Sequence, residues 1–258
     1  MNNKIVFFDI DGTLLDHDKK LPLTTKNAIN ALKASGVRVA IATGRAPFMY
    51  KDLRDELRIS SFVSFNGQYV IYEDEVIYKN PLNNNALHSL KEYSYRNDHP
   101  VVFMDESTMK ATVKDHQHIH VSMGSLKFQH PEFDPGYYHE REIFQALLFC
   151  TKDEEELYVN QYNDFDFVRW HEVATDILPS GGSKAEGIKI MIDRLGIKKE
   201  NVFAFGDGLN DIEMIRYVGT GIAMGNAKDE VKQIANFVTK DVDDDGILYG
   251  LEQLGLLK

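Results

Sequence analysis

The sequence predicts an α/β fold: a doubly wound, Rossmann-like parallel sheet interrupted by an inserted α+β module. Three observations lead there. KIVFFD, VRVAIATG and SFVSFNG are continuous apolar runs, the kind buried on both faces of a parallel sheet. LTTKNAINALKASG and APFMYKDLRDELRI lie between them and read as helices, giving a βαβαβ pattern with right-handed crossovers. The same alternation returns from Ser183, after a long stretch of different character.

Each element has its local reason. The first helix has threonines near its start, Ala28, Ala31 and Leu32 on one face, and Gly36 as a stop. The second carries Pro47 in its first turn. YVIYEDEVIY reads as a hairpin, two β-rich runs around an acidic turn. From Pro81 to about Pro179, helices mix with the strand-like runs VVFM, ATVKD, HIHVS, FQALLFC and FDFVRW. SKAEGIKIMIDRLG then reads as a helix with Ser183 as N-cap and Gly196 as stop. NVFAFGD, TGIAMG and NFVT are short strands. The expected organisation is a discontinuous core, residues 1–80 and 183–258, with residues 81–182 inserted.

Bulk properties narrow the function. The chain has 258 residues and a formal net charge of −11, which argues against a nucleic-acid binder with its basic stripe. It does not argue against an anionic substrate, because a bound cation reverses the local field. One cysteine, Cys150, permits no intrachain disulfide and reads as a small buried hydrophobe. No apolar stretch reaches membrane-spanning length and no signal peptide is recognisable, so a cytoplasmic protein is the expectation.

In an open parallel sheet, ligands bind outside the carboxyl ends of the strands. The first strand ends in Asp9 and Asp11, the second in Thr43 and Gly44, and NVFAF runs into GDGLND with Asp207, Asn210 and Asp211. Lys184 opens the helix before that last strand. Distant segments thus deliver carboxylates, a hydroxyl, an amide and an ammonium to one edge. A buried unpaired carboxylate is costly. A hard cation such as Mg²⁺, held by Asp9, Asp207 and a carbonyl near Asp11, would compensate the pair. A carboxylate attacks phosphorus without a separate base, and a second one two residues on has the reach to serve as acid and base. Thr43 and loop amides suit phosphoryl oxygens, and Lys184 suits their charge.

DIDGTLL, ATGR, Lys184 after SGGS, and GDGLND, in this order, resemble the four motifs of the haloacid dehalogenase (HAD) superfamily of phosphatases. Asp11 and Thr43 are 32 positions apart, room for one crossover helix; Thr43 and Lys184 are 141 apart, room for a large insertion. That placement resembles the Cof-like branch, whose α/β cap lies between the second and third motifs. NGQYVIYEDEVIY resembles that branch's lead into the cap. The resemblance implies Asp9 as nucleophile and Asp11 as general acid/base. It implies phosphate contacts from Ile10, Thr43, Gly44, Lys184 and Asn210. It implies Mg²⁺ as cofactor, held by Asp9, Asp11, Asp207 and Asp211, with Arg45 and Asn66 toward the leaving group. Members that hydrolyse carbon–halogen bonds lack the second aspartate, so Asp11 favours phosphate esters. The expected partner is a small phosphorylated metabolite, sugar phosphates first, then pyridoxal phosphate or flavin mononucleotide. A phosphosugar mutase and a non-enzymatic metal or phosphate sensor on the same fold stay open.

Other segments carry competing readings. Asp241 to Glu252 fits the calcium-loop pattern D-x-[DN]-x-[DN]-G-x5-E, yet the preceding NFVT is β-like where an EF-hand needs a helix. HQHIH would put His116, His118 and His120 on one face of a strand, a zinc-like arrangement against which a solvated cap strand is weighed. Arg169, Trp170 and His171 are read as substrate contacts or as packing. Asp153 to Glu156 should open a helix, where negative charge favours the N-terminus.

Overall fold

The structure is a computed structural model that describes residues 3–257. The chain begins with strand β1 (Ile5–Phe8), helix α1 (Leu23–Ala34), β2 (Arg38–Ala42), α2 (Lys51–Leu57), β3 (Phe62–Ser64) and the hairpin β4 (Tyr69–Tyr72) and β5 (Glu75–Lys79). Next come α3 (Asn84–Arg96), β6 (Val101–Met104), β7 (Met109–Ala111), α4 (Gln117–Ser125), β8 (Gln145–Leu148), α5 (Lys152–Val159), β9 (Phe165–His171) and β10 (Ala174–Pro179). The chain then runs through α6 (Lys184–Leu195), β11 (Val202–Gly206), α7 (Ile212–Tyr217), β12 (Thr220–Ala223), α8 (Asp229–Ile234), β13 (Phe237–Val238) and α9 (Gly246–Gln253).

These elements form two compact units. One holds the chain up to Arg45, Met49–Lys79 and everything from Ser183 onward; the other holds Ala46–Phe48 and Asn80–Gly182. The first unit is built on an eight-stranded sheet of order β13-β12-β11-β1-β2-β3-β4-β5. It is parallel from β13 to β3 and antiparallel across β3, β4 and β5. Strand order runs outward in both directions from β1, so the carboxyl ends of β1, β2 and β11 meet at the switch point where doubly wound sheets bind ligands. The central strands earn their place by burial on both faces. Every residue of β1 and β11 is buried, and Phe8 stacks on Phe205 across the pair with centroids 5.0 Å apart. Each buried Val, Ile or Phe side chain of these two strands contributes about 1.5–3 kcal/mol of transfer free energy.

The second unit has a five-stranded sheet, β7-β6-β8-β10-β9, antiparallel throughout. Its core joins Leu87 and Leu90 of α3, Tyr158 of α5, and Val101, Phe103, Ala146, Leu148, Ile177 and Phe165 from the strands.

The structure refines several expectations. The helix read through APFMYKDLRDELRI breaks at Tyr50 into a 3-10 turn, Pro47–Tyr50, followed by α2. Tyr50 is buried and its hydroxyl meets that of Ser64, which fixes the break. The HQHIH strand is overturned. His116 caps α4, accepting from the His118 amide, and the other two histidines lie inside that helix. Ile119, Ser122 and Met123 are buried at spacings of three and four, a helical period the alternating histidines conceal. Asp153 to Glu156 does open α5, behind a capping box between Thr151 and Glu154. Arg169 is a joint of the unit: it donates to the carbonyls of Cys150 and Thr151 and pairs with Glu155. Cys150 is buried. The calcium-loop reading fails as its entry segment foretold. β13 precedes it, Val242–Asp244 is a 3-10 turn, and α9 starts at Gly246.

Candidate active site

The chain leaves β1 through a tight turn. Gly12 sits at φ +75° and its amide donates to the Leu15 carbonyl, while Leu15 returns a bond to the Ile10 carbonyl. Only glycine fits there. A Cβ on Gly12 would lie 2.4 Å from Oδ2 of Asp207. Ile10 is fully buried, and its carbonyl accepts from the amides of Thr13 and Leu15.

Lys184 is the hub. Ser183 caps α6 through a bond from the Glu186 amide, which places Lys184 at the first helical position. Its Nζ donates to Oδ1 of Asp9 at 2.6 Å and to Oδ1 of Asp211 at 2.6 Å. All three side chains are buried, Lys184 to 1% exposure and Asp211 to 0%. The second Asp211 oxygen accepts from the amides of Asp207 and Gly208, both at 2.9 Å. Asp211 thus has both oxygens engaged and holds the GDGLND loop. Asp207 accepts from Thr13 Oγ1 at 3.3 Å. Donor oxygens of Asp9, Asp207 and Asp211 lie within 4.8 Å of one another.

Asp11 points elsewhere. Its carboxylate takes a two-pronged bond from Arg45, Nε at 2.8 Å and Nη2 at 2.7 Å, plus Lys19 Nζ at 2.6 Å. Arg45, expected toward the leaving group, donates both of its bonds to Asp11. Thr43 Oγ1 accepts from the Arg45 amide at 3.1 Å. The end of β3 folds onto this segment: Phe65 and Asn66 both adopt φ +51°, and the Asn66 amide donates to the Thr43 carbonyl at 3.1 Å. Asn66 Oδ1 accepts from Asn210 Nδ2 at 3.3 Å, and Gly44 lies against the Asn66 amide. Thr43, Gly44, Arg45, Asn66 and Asn210 therefore share one wall.

Electrostatics divide the carboxylates. Burial pushes Asp9 up to about 8, opposed by Lys184 and reinforced by repulsion from Asp211 and Asp11. Burial, with repulsion from Asp211, pushes Asp207 up to about 6. Asp11 goes the other way: burial works to raise it, but Arg45 and Lys19 outweigh burial and hold it below the ordinary carboxylate value. Burial works against the charge of Lys184, yet Asp211 and Asp9 outweigh it and keep it cationic. The Asp9 and Asp207 oxygens form a hard, all-oxygen donor set whose ionised form is compensated only in part by Lys184, which Asp211 shares, and this fits a small divalent cation.

Sequence reasoning missed three contributors. Lys19 and Thr13 follow the first motif without a pattern to mark them. Asn226 sits beyond β12, where its Nδ2 donates to the Gly12 carbonyl at 2.8 Å and its Oδ1 accepts from the Val242 amide at 3.0 Å. It ties the Asp11 turn to the loop after β13.

Comparison with known proteins agrees with this arrangement. The haloacid dehalogenase-like hydrolase family matches residues 6–251. The Bacillus subtilis protein YkrA, which carries a provisional phosphatase name, is 55% identical over 258 residues, all of both chains. A crystal structure of a hypothetical protein from Geobacillus kaustophilus HTA426 is 63% identical, with a TM-score of 0.96 over 98% of this chain and 99% of that one. A HAD subclass IIB sugar phosphatase is 31% identical, with a TM-score of 0.85 over 98% of this chain and 100% of that one. The chain belongs to the haloacid dehalogenase-like hydrolase family, in the Cof-like branch that holds these phosphatases, and is an enzyme of that family.

Proposed function

We propose that the protein is a Mg²⁺-dependent phosphatase of small phosphate monoesters, working through an aspartyl phosphate on Asp9. The observation that carries this reading is the buried Asp9–Lys184–Asp211 chain beside Asp207. Lys184 occupies one Asp9 oxygen and leaves the other for attack on phosphorus. Mg²⁺, held by Asp9, Asp207 and a carbonyl of the Asp11 turn, would favour the ionised form of Asp9 and draw charge from the phosphoryl oxygens. Thr43, Gly44, Asn210 and the Ile10 amide, with Lys184, would receive those oxygens.

Asp11 is the acid and base. Attack by Asp9 forms an O–P bond and breaks the ester O–P bond, and the leaving oxygen takes a proton from Asp11. Asp11 then accepts a proton from the water that hydrolyses the acyl phosphate. Arg45 and Lys19 hold Asp11 as a carboxylate, the form this second step needs, so donation in the first step requires their bonds to loosen. Sugar phosphates stand first among substrates, supported by the similarity to a sugar phosphatase.

The test is phosphate release from a panel of monoesters, with Mg²⁺ and with excess chelator, for the parent and Asp9→Asn. Metal-dependent turnover that vanishes in Asp9→Asn is the expected result. Turnover that survives in Asp9→Asn overturns the nucleophile. Isomerisation of a sugar bisphosphate without phosphate release would replace the phosphatase with a mutase.

A further inference from the structure

We propose that His17, Asp241 and Asp243 form a second metal site, for a first-row divalent transition ion of the zinc kind, separate from the Asp9 cluster. An acidic loop alone would be a solvated turn. What sets this one apart is an imidazole delivered from a different segment of the chain. His17 Nε2 lies 3.8 Å from Oδ1 of Asp241 and 3.7 Å from Oδ2 of Asp243. All three donor atoms lie within 4.8 Å of one another.

Those separations are too long for hydrogen bonds, which run to about 3.2 Å. They approach the spacing of ligands around an ion. With metal–donor distances of roughly 2.0–2.2 Å, donors on a tetrahedral ion stand about 3.4 Å apart. The side chains are 42% to 62% exposed, so closing by a few tenths of an ångström costs little packing. Neither carboxylate has a lysine or arginine partner among the described residues; Lys240 pairs with Asp244. One imidazole and two carboxylates select a borderline ion over Mg²⁺ or Ca²⁺, which favour all-oxygen sets. Three protein ligands leave one position for water. Asp245 and Glu252, which the calcium pattern required, do not join the cluster.

Both loops are held in place. The His17 turn is closed by Asp16–Lys20 and Lys19–Asp16 backbone bonds and by the Asp16 carboxylate on the Lys20 amide. Asp241 Oδ1 accepts from the Asp243 amide at 3.0 Å, which sets the two carboxylates side by side. Asn226 already bridges Gly12 to Val242. An ion at His17 would add a second staple, pinning the turn whose Lys19 reaches Asp11.

The site is tested by Zn²⁺ titration against a chromophoric chelator, with excess Mg²⁺ present, on an Asp207→Asn protein whose central cluster is disabled. Parallel titrations use the same protein with His17→Ala or Asp243→Asn, exposed positions where folding is not at stake. The expected result is one Zn²⁺ per chain, weakened at least tenfold by either added substitution. Co²⁺ in place of Zn²⁺ should give a visible spectrum that His17→Ala alters. Equal affinity with and without His17, or binding no tighter than about 1 mM in Asp207→Asn, overturns the proposal. Neither outcome bears on the phosphatase reading, which rests on other residues.

Discussion

Gly67 and Ser183 meet backbone to backbone: a methyl group on Gly67 would lie 2.0 Å from the Ser183 carbonyl oxygen. Gly187 repeats the approach one turn on, where a Cβ would lie 2.4 Å from Val63. These contacts press the start of α6 onto the end of β3 and so set the position of Lys184. Gly67 also sits at φ +101°. Gly67→Ala should therefore cost about 3 kcal/mol or more and depress turnover with it. Gly36→Ala is the control. Gly36 has φ +81° but open space around it, so only backbone strain remains, about 1 kcal/mol. Denaturant unfolding of the two variants, with phosphate release, checks the contrast.

Lys184→Met should be worse than loss of a surface lysine. It leaves Asp9 and Asp211 buried without their shared cation. Removing one partner of such a buried cluster costs about 3–5 kcal/mol. Lys184→Arg should not restore activity, because a site with 1% exposure has no room for the longer planar head. Urea midpoints and turnover of the two variants provide the measurement.

Mg²⁺ should stabilise the parent and leave Asp207→Asn unmoved. An ion that binds the folded state at a hundred times its Kd adds about 2.7 kcal/mol, which for a chain of this size raises Tm by roughly 5–10 °C. Thermal melts with Mg²⁺ and with chelator read this directly. Equal shifts in both proteins would remove Asp207 from the metal site.

The second unit should carry its own pH dependence. Burial pushes Asp176, at the centre of β10, up to about 7, only partly offset by the polar edges of Gln145 and Trp170. A carboxyl raised in the folded state favours folding while protonated. Its contribution is fully present below the unfolded value near 3.8 and is lost as pH rises through about 7. The parent should therefore lose stability relative to Asp176→Asn between about pH 4 and pH 8, by up to roughly 3–4 kcal/mol. Unfolding of both proteins across that range tests the sign; parallel curves would refute it.

The sheet was legible because its strands are buried on both faces and so read as unbroken apolar runs. Ser183 and Gly196 bounded α6 by capping chemistry that needs no tertiary context, and Gly196 does close it at φ +61°. Two elements of the second unit were hidden for physical reasons. In β10, Asp176 interrupts the apolar run that would announce ATDILP as a strand. In α4, histidines at every second position imitate strand alternation while Ile119 and Met123 keep the helical period. At the site, residue types at strand ends named Asp9, Asp11, Thr43 and Asp207, and the start of α6 named Lys184. The pairings were not legible. That Asp11 binds Arg45 and Lys19, and that both oxygens of Asp211 are taken, depends on side-chain directions set by packing.

The strand order has a consequence for synthesis. β1 hydrogen-bonds β2 on one side and β11 on the other, and β11 begins only at Val202. As the chain emerges, β1 waits with one flank open while the whole second unit is made. Asp9 waits too, since Lys184 and Asp211 both come from the final third. Segments that depend on distant partners fold slowly, whereas the second unit is contiguous apart from Ala46–Phe48 and can collapse as it appears. A ribosome stalled before Ser183 would therefore carry a protein with Asp9 uncompensated and no competent site, so the enzyme stays silent until its last strands are delivered.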